Sequence, residues 1–243
     1  VSVSLKSYNN KYGVPLSLFN LNQNDDYGVL EIGMDKKGEI DYLSKIVQPD
    51  VSVITNINYA HAKNFKNLKQ IALAKSEIIN NTKNNGFVIL NADDNFFYLH
   101  KKMATKKNLK ILSFGIKNKN SNIKLLNIKK IGKKFKANIK INNLKTFFLI
   151  SNDFENNILN ILAALTVMSI FLDISKINKN MFINFKTPNG RGDISKIKVN
   201  KKNLNLIDES YNSNPLSLKT ALVNFSNIKL KNNDKHILLG DML

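Results

Sequence analysis

Residues 51–94 read VSVITNINYAHAKNFKNLKQIALAKSEIINNTKNNGFVILNADD. The apolar run at 51–57 has the make-up of a buried strand. Residues 68–82 set Leu68, Ile71, Ala72, Ala74, Ile78 and Ile79 at helical spacing. A second apolar run at 87–90 ends on Asn91-Ala92-Asp93-Asp94. Two strands joined by a crossover helix predict a parallel pair.

The same alternation extends outward from this unit. Residues 27–33 (YGVLEIG) predict a buried strand and 38–47 a short helix stopped before Pro49. A helix over 95–105 and a strand over 109–114 follow. The predicted class is therefore α/β, a parallel sheet flanked by helices. The period then changes. Residues 123–128, 135–141 and 146–150 alternate apolar and polar, and Gly132-Lys133 and Asn142-Asn143 separate them. That pattern predicts a small antiparallel sheet of three strands. Helices are expected over 154–172 and 174–184. Thr187-Pro188-Asn189-Gly190 is a breaker cluster and the expected boundary between a domain over 1–187 and a second over 188–243. Beyond it come strands at 194–199 and 204–208, a helix at 215–225 and a strand at 235–239. One strand–helix–strand unit is too little for an independent domain, so the second α/β domain is read as incomplete.

Composition bounds the function. The chain has 243 residues, 43% of them hydrophobic, enough for a real core. The longest apolar run, 158–172, is interrupted by Asn160 and falls short of the roughly 20 residues a membrane span needs. The first residues show no signal-peptide pattern and no initiator Met, as expected of a piece of a longer protein. Cysteine is absent, which excludes disulfides and thiolate metal sites and suits a cytoplasmic setting. A monomer is expected. The formal charge of +19 invites a nucleic-acid reading. Lysines nevertheless occur in every segment, often beside Asn, with no evident stripe of interleaved aromatics. A solvated basic surface is the simpler reading, and no nucleic-acid partner is expected. Arg191 is the one arginine, set in Asn189-Gly190-Arg191-Gly192-Asp193. Its planar fork of donors suits phosphate as lysine does not; the alternative is a chance turn residue.

Several residues could carry chemistry. Glu31 ends the first predicted strand, His61 follows the second, and Lys75 lies in the helix between strands. Open α/β sheets bind ligands at the C-terminal strand ends, where all three can converge. A carboxylate and an imidazole suit a divalent cation such as Mg²⁺; a cationic lysine ligates metal only if deprotonated or modified. Each has a plainer reading: a capping carboxylate, a structural histidine, a surface lysine. Asn156, Asn157 and Asn160 open the long helix, where their amides can cap it or meet the edge of an adenine. Asp208 ends a strand and is placed to accept from ribose hydroxyls or to stabilise a turn. Asn214-Pro215 reads as an N-cap with Pro at the first helical position.

Taken in order, these residues form a pattern. Asn9-Asn10-x-x-Gly13-x-Pro15-Leu16, Glu31-x-Gly33, Thr55-Asn56-Ile57-x-x-Ala60-His61, Ala74-Lys75-x-Glu77 and Asn91-x-Asp93 are followed by Asn157-x-x-Asn160-x-x-Ala163-Ala164, Gly190-Arg191-Gly192 and Asp208-x-x-Tyr211-Asn212-x-Asn214-Pro215. The ordered set resembles the ATP-dependent Mur ligases of peptidoglycan synthesis. Tyr211-Asn212-Ser213-Asn214-Pro215 and the terminal Gly240-Asp241-Met242-Leu243 resemble the branch that joins D-Ala-D-Ala to a UDP-MurNAc-tripeptide. The resemblance implies most of a central ATP-binding domain and the start of a C-terminal domain. It implies a reaction in which ATP phosphorylates the peptide carboxylate and the dipeptide amine attacks the acyl phosphate. It implies ATP and Mg²⁺ as cofactors, with Glu31 and His61 on the metal and Lys75 as a carbamylated lysine beside them. Asn157 and Asn160 would face adenine, Asp208 the ribose and Arg191 the phosphates, with Tyr211 and Asn212 beside the nucleotide. Asn9 and Asn10 would lie by the substrate.

The chain also departs from the family pattern. No G-x-x-G-K-[ST] phosphate loop occurs in it; in the family that loop lies just upstream of residue 1. Ser7 stands where the family often has Asn, Asn156 where it often has His, and Glu209 where it usually has Asp. Another amino-acid ligase of the family, or a non-catalytic remnant, is the alternative.

Overall fold

The computed structural model describes residues 1–5, 7–58, 64–132, 134–151, 157–185, 188–200, 202–211, 215–228 and 234–241. The strand–helix–strand reading of 51–94 holds. β3 (Val51–Ile54) and β4 (Phe87–Asn91) pair in parallel, and β4 pairs in parallel with β5 (Lys110–Gly115). The crossover is two helices, α3 (Leu68–Lys75) and α4 (Glu77–Asn81), meeting at Ser76. The Ser76 hydroxyl donates back to the Leu73 carbonyl at 2.7 Å, the local bonding by which serine competes with a regular helix. α5 (Phe97–Lys106) links β4 to β5.

The meander is β6 (Ile123–Ile131), β7 (Lys134–Ile141) and β8 (Leu144–Ser151), antiparallel throughout as expected. It continues the parallel sheet, giving one six-stranded sheet ordered β3-β4-β5-β6-β7-β8. β6 overlaps β5 in only two pairs, Phe114↔Ile123 and Gly115↔Lys124. The short link between them allows little more, so the meander runs on past the parallel strands.

The sheet carries a core on each face. Val88 and Leu90 of β4 face one way, into a cluster with Ile71, Ala74 and Ile79 of α3 and α4. Ile89 faces the other way, into a cluster with Phe114, Ala137, Ile139, Phe148 and Ile161. The second cluster is closed by α6 (Ile158–Phe171), apolar nearly all round and therefore packed rather than exposed.

Three expectations need correction. The 27–33 strand shrinks to β2 (Gly28–Val29), which pairs in parallel with β1 (Ser2–Val3) and not with β3. Between them lies α1 (Gly13–Phe19), a helix the pattern did not suggest. The 174–184 helix is one 3₁₀ turn, Ile174–Lys176, because Asp173 accepts from the Ser175 amide and the segment then turns to bury Phe182 beside β8. β9 (Asp193–Val199) and β10 (Lys202–Asp208) are an antiparallel hairpin turning through Asn200 at φ 47°. α7 (Pro215–Asn227) follows, but 235–239 is not a strand; Leu238 there is fully exposed, and among the described residues no strand pairs with it.

Candidate functional site

The C-terminal ends of β3, β4 and β5 are stitched together by the loop after β4. Asn91 donates from Nδ2 to the Thr55 carbonyl at 3.0 Å. Asp93 accepts from the amides of Ile116, Lys117 and Asn118, at 2.5, 3.0 and 2.7 Å. Asp94 accepts from the Ile57 amide at 2.8 Å and from the Phe96 amide at 2.8 Å.

Lys75 reaches this edge from the last turn of α3. Side chains on a helix lean toward its N-terminus, here back toward the strand ends. Its Nζ donates to the Asn56 carbonyl at 3.0 Å. The Asn56 carbonyl and the Ile57 N–H belong to one peptide group. Lys75 and Asp94 therefore grip that group from opposite sides, a cation on its oxygen and an anion on its hydrogen. Burial lowers the Lys75 pKa below the ordinary lysine value, and the Asp94 carboxylate opposes the shift. Behind them His100 is buried, with Nε2 3.1 Å from the Ala72 carbonyl; burial lowers its pKa as well. Glu77, two residues past Lys75, accepts from the amides of Gly38 and Asp41 at 2.9 and 3.1 Å. It thereby satisfies open N–H groups at the start of α2 (Glu39–Val47).

A second cluster joins the two ends of the chain. Asn9 donates from Nδ2 to Glu31 Oε1 at 2.8 Å, and the Gly33 amide donates to the Asn9 carbonyl at 2.7 Å. A Cβ on Gly33 would sit 2.9 Å from the Asn9 side chain, so glycine lets Asn9 lie flat against the loop. Asn10 serves the backbone instead, its Oδ1 accepting from the amides of Tyr12 and Gly13, both at 3.0 Å, to open α1. Tyr211 hydrogen-bonds the Ser7 hydroxyl, and the Arg191 guanidinium lies 4.2 Å over its ring. Ser7 and Arg191 lower the Tyr211 pKa, against the nearby Glu31 carboxylate.

The Arg191 turn is built for this placement. Gly190 and Gly192 have φ of +74° and +87°, a region glycine enters without strain. The Gly190 carbonyl accepts from the Tyr211 amide at 3.0 Å, and the Gly192 amide donates to the Asp208 carbonyl at 2.6 Å. Asp208 accepts from the Ser210 amide at 2.9 Å; the Ser210 hydroxyl first, and then this bond, lower its pKa, as in a turn aspartate. Asn157 sits at the start of α6 without a side-chain capping bond. Its Oδ1 instead accepts from Asn160 Nδ2 at 3.3 Å, so capping, the simpler expectation for Asn157, does not occur.

The structure thus brings Asn9 and Glu31 together with Tyr211 and Arg191, and keeps Lys75 with Asn56 and Asp94. His61, Asn156 and Asn212 lie outside the described residues. Among the described residues no three His, Asp or Glu side chains form a metal cage. The donor chemistry fits Mg²⁺ in part. Glu31 offers a hard oxygen, oriented by Asn9 through Oε1. Lys75 as an ammonium repels a cation, and fits only once its nitrogen is neutral or carries a carboxylate. Sequence reasoning missed Asp94 as a tie between strand ends. Its signal was there, a carboxylate just past a strand's C-terminal end.

Residues 2–168 match the model of the Mur ligase middle domain. The chain belongs to the Mur ligase family. A UDP-N-acetylmuramoyl-tripeptide–D-alanyl-D-alanine ligase of Buchnera aphidicola subsp. Baizongia pistaciae is 34% identical over 243 residues, covering 99% of this chain and 50% of the relative. A crystal structure of MurF from Acinetobacter baumannii superposes with a TM-score of 0.80 at 28% identity, covering 93% of this chain and 48% of that one. MurF ligase from Thermotoga maritima, in complex with ADP, gives 0.75 at 26% identity, covering 94% and 51%. The chain spans about half the length of the curated relatives it matches. The Mur ligase match runs from β1 into α6, so it takes in Glu31, Lys75, Asn157 and Asn160 and stops before Arg191.

Proposed function

We propose that this chain belongs to an ATP-dependent amide ligase that joins D-Ala-D-Ala to a UDP-MurNAc-tripeptide through an acyl phosphate, in the cytoplasm. Residues 1–187 would form most of its central ATP-binding domain and 188–243 the start of the next. The observation that carries the reading is the meeting of family motif residues far apart in the sequence, Glu31, Arg191 and Tyr211. Ser7 and Tyr211, 204 positions apart, touch beside Glu31 and Arg191. A carboxylate and a guanidinium brought this near to one another suit a nucleotide's phosphates and a metal ion.

Glu31 and His61 would hold Mg²⁺, with Lys75 as a third ligand after carbamylation. The metal, when bound, neutralises phosphate charge. Burial supports the modification at Lys75, because a lowered pKa raises the share of neutral amine. That amine attacks carbon dioxide, forms the N–C bond and releases a proton. The remaining N–H can keep its bond to the Asn56 carbonyl. Arg191 would clamp phosphate oxygens, its guanidinium already aligned on Tyr211. Asp208 would accept from ribose hydroxyls, Asn157 and Asn160 would meet the adenine edge, and Asn212 would lie beside the nucleotide. Asn9 would orient Glu31 and reach the substrate, whereas Asn10, its oxygen committed to α1, keeps only its amide donors for it.

The test is phosphate release by the full-length enzyme with MgATP, UDP-MurNAc-tripeptide and D-Ala-D-Ala. Phosphate should appear only when both substrates are present. Release supported by a single amino acid in place of the dipeptide would reassign the chain to another ligase of the family. No release under any combination would refute a ligase.

A further inference from the structure

The positive charge is not spread evenly along the chain. Residues 1–94 carry ten lysines and ten carboxylates. Residues 95–152 carry fifteen lysines and no carboxylate, and so hold fifteen of the nineteen excess charges. A compositional preference for lysine acts on the whole chain and does not explain a local absence of acids.

Nor is it spread evenly over the fold. The inward side chains of the meander, Ile123, Leu125, Ala137, Ile139, Ile141, Phe148 and Ile150, are all buried in the core that α6 closes. The alternate positions therefore share the opposite, outer face. Three strands set Lys124, Lys140 and Lys145 in one cross-strand row there, and Lys129 opposite Lys136 in another. Lys134 extends the same face. Like charges directly opposite on a sheet repel, and this face has three such pairs. Among the described residues no ion pair involves any of these six lysines. Leu126 at the β6 bulge and Ile131 at the strand end are exposed at 41% and 53% beside them.

We propose that the outer face of β6–β8 is a docking surface for an anionic lipid bilayer. Lysines sharing one sheet face, with exposed aliphatic side chains beside them, suit the charge of anionic headgroups and the edge of the acyl region. A single-stranded nucleic acid fits less well. Such ligands stack on aromatic platforms, and Phe147, paired with Asn138 on this face, already has Lys136 Nζ 4.2 Å from its ring centre.

Vesicle co-sedimentation of this chain tests the proposal, using pure phosphatidylcholine and phosphatidylcholine with about a third phosphatidylglycerol. Binding is expected only to the anionic vesicles, and to fade in high salt. Each lysine near such a surface is worth about five-fold in partitioning. The triple variant Lys124→Gln/Lys140→Gln/Lys145→Gln should therefore bind about a hundred-fold more weakly. A control, Lys37→Gln/Lys66→Gln/Lys69→Gln, removes the same charge elsewhere and should bind within a few-fold of wild type. Because the face triple removes two repelling pairs, its melting temperature should not fall, which separates lost binding from lost folding. Equal losses in both triples would overturn the proposal. So would anionic vesicles left unbound, including the case where a single-stranded oligonucleotide binds and the face triple abolishes it.

Discussion

Asp94→Ala removes the carboxylate whose Oδ2 holds the Ile57 amide after β3 and whose Oδ1 holds the Phe96 amide after β4. The wild-type carboxylate takes the Ile57 and Phe96 amides, both at 2.8 Å, and faces Lys75 and His100. A hydrogen bond to a charged group contributes about 1.5–3 kcal/mol net. Asp94 is half-buried, so water can replace part of one bond. The expected loss is about 2–3 kcal/mol. For a domain of this size a kcal/mol moves the melting temperature by roughly 2–4 °C, so the fall should be on the order of 5–10 °C. Asp94→Asn keeps one acceptor oxygen and should lose about half as much. Thermal denaturation by circular dichroism measures the loss, and hydrogen exchange at the Ile57 amide locates it. Ile57 should exchange faster in Asp94→Ala, and less so in Asp94→Asn. A melting temperature within about 1 °C of wild type, with Ile57 still protected, would refute the clamp.

Three other outcomes are expected. His100 has its pKa lowered from 6.5 by burial, so above that value neither state is charged, whereas below it the unfolded chain takes up the proton first. Stability should therefore fall as pH drops from 7 towards 5, and His100→Gln should flatten that part of the melting-temperature profile. Gly190→Ala puts a Cβ 2.9 Å from the Tyr211 amide nitrogen at a φ of +74°. It should destabilise the Arg191 turn by roughly 1–2 kcal/mol and move the Tyr211 ring signals in an NMR spectrum; unchanged signals would mean Arg191 does not depend on that turn. In the full-length enzyme, Lys75→Ala should abolish MgATP-dependent phosphate release, and a short carboxylate should restore part of it if the carbamate is the working form. Wild-type turnover in that variant would remove Lys75 from the chemistry.

Much of the fold was legible because local periodicity reports burial. The 51–57 and 87–90 runs and the spacing over 68–82 mark β3, β4 and the α3–α4 crossover, since each must hide an apolar face whatever its neighbours do. The meander was legible for the same reason. Weaker signals misled where polar side chains compete with the backbone. Ser76 divides a predicted helix, and Asp173 with Ser175 stops another after one turn.

Sequence by itself determined the class of fold, the order of its elements from β3 to α6 and the ordered motifs that place the chain among the Mur ligases. Partnership was decided only by the tertiary structure. Asn9 and Asn10 are neighbours of one residue type, yet one orients Glu31 and the other opens α1. Tyr211 finds Ser7 across 204 positions, and six lysines scattered along three strands share one face. The physical reason is range. Hydrophobic period is written in residues a few positions apart, whereas a hydrogen bond or a charge row depends on segments that only folding brings within a few ångströms.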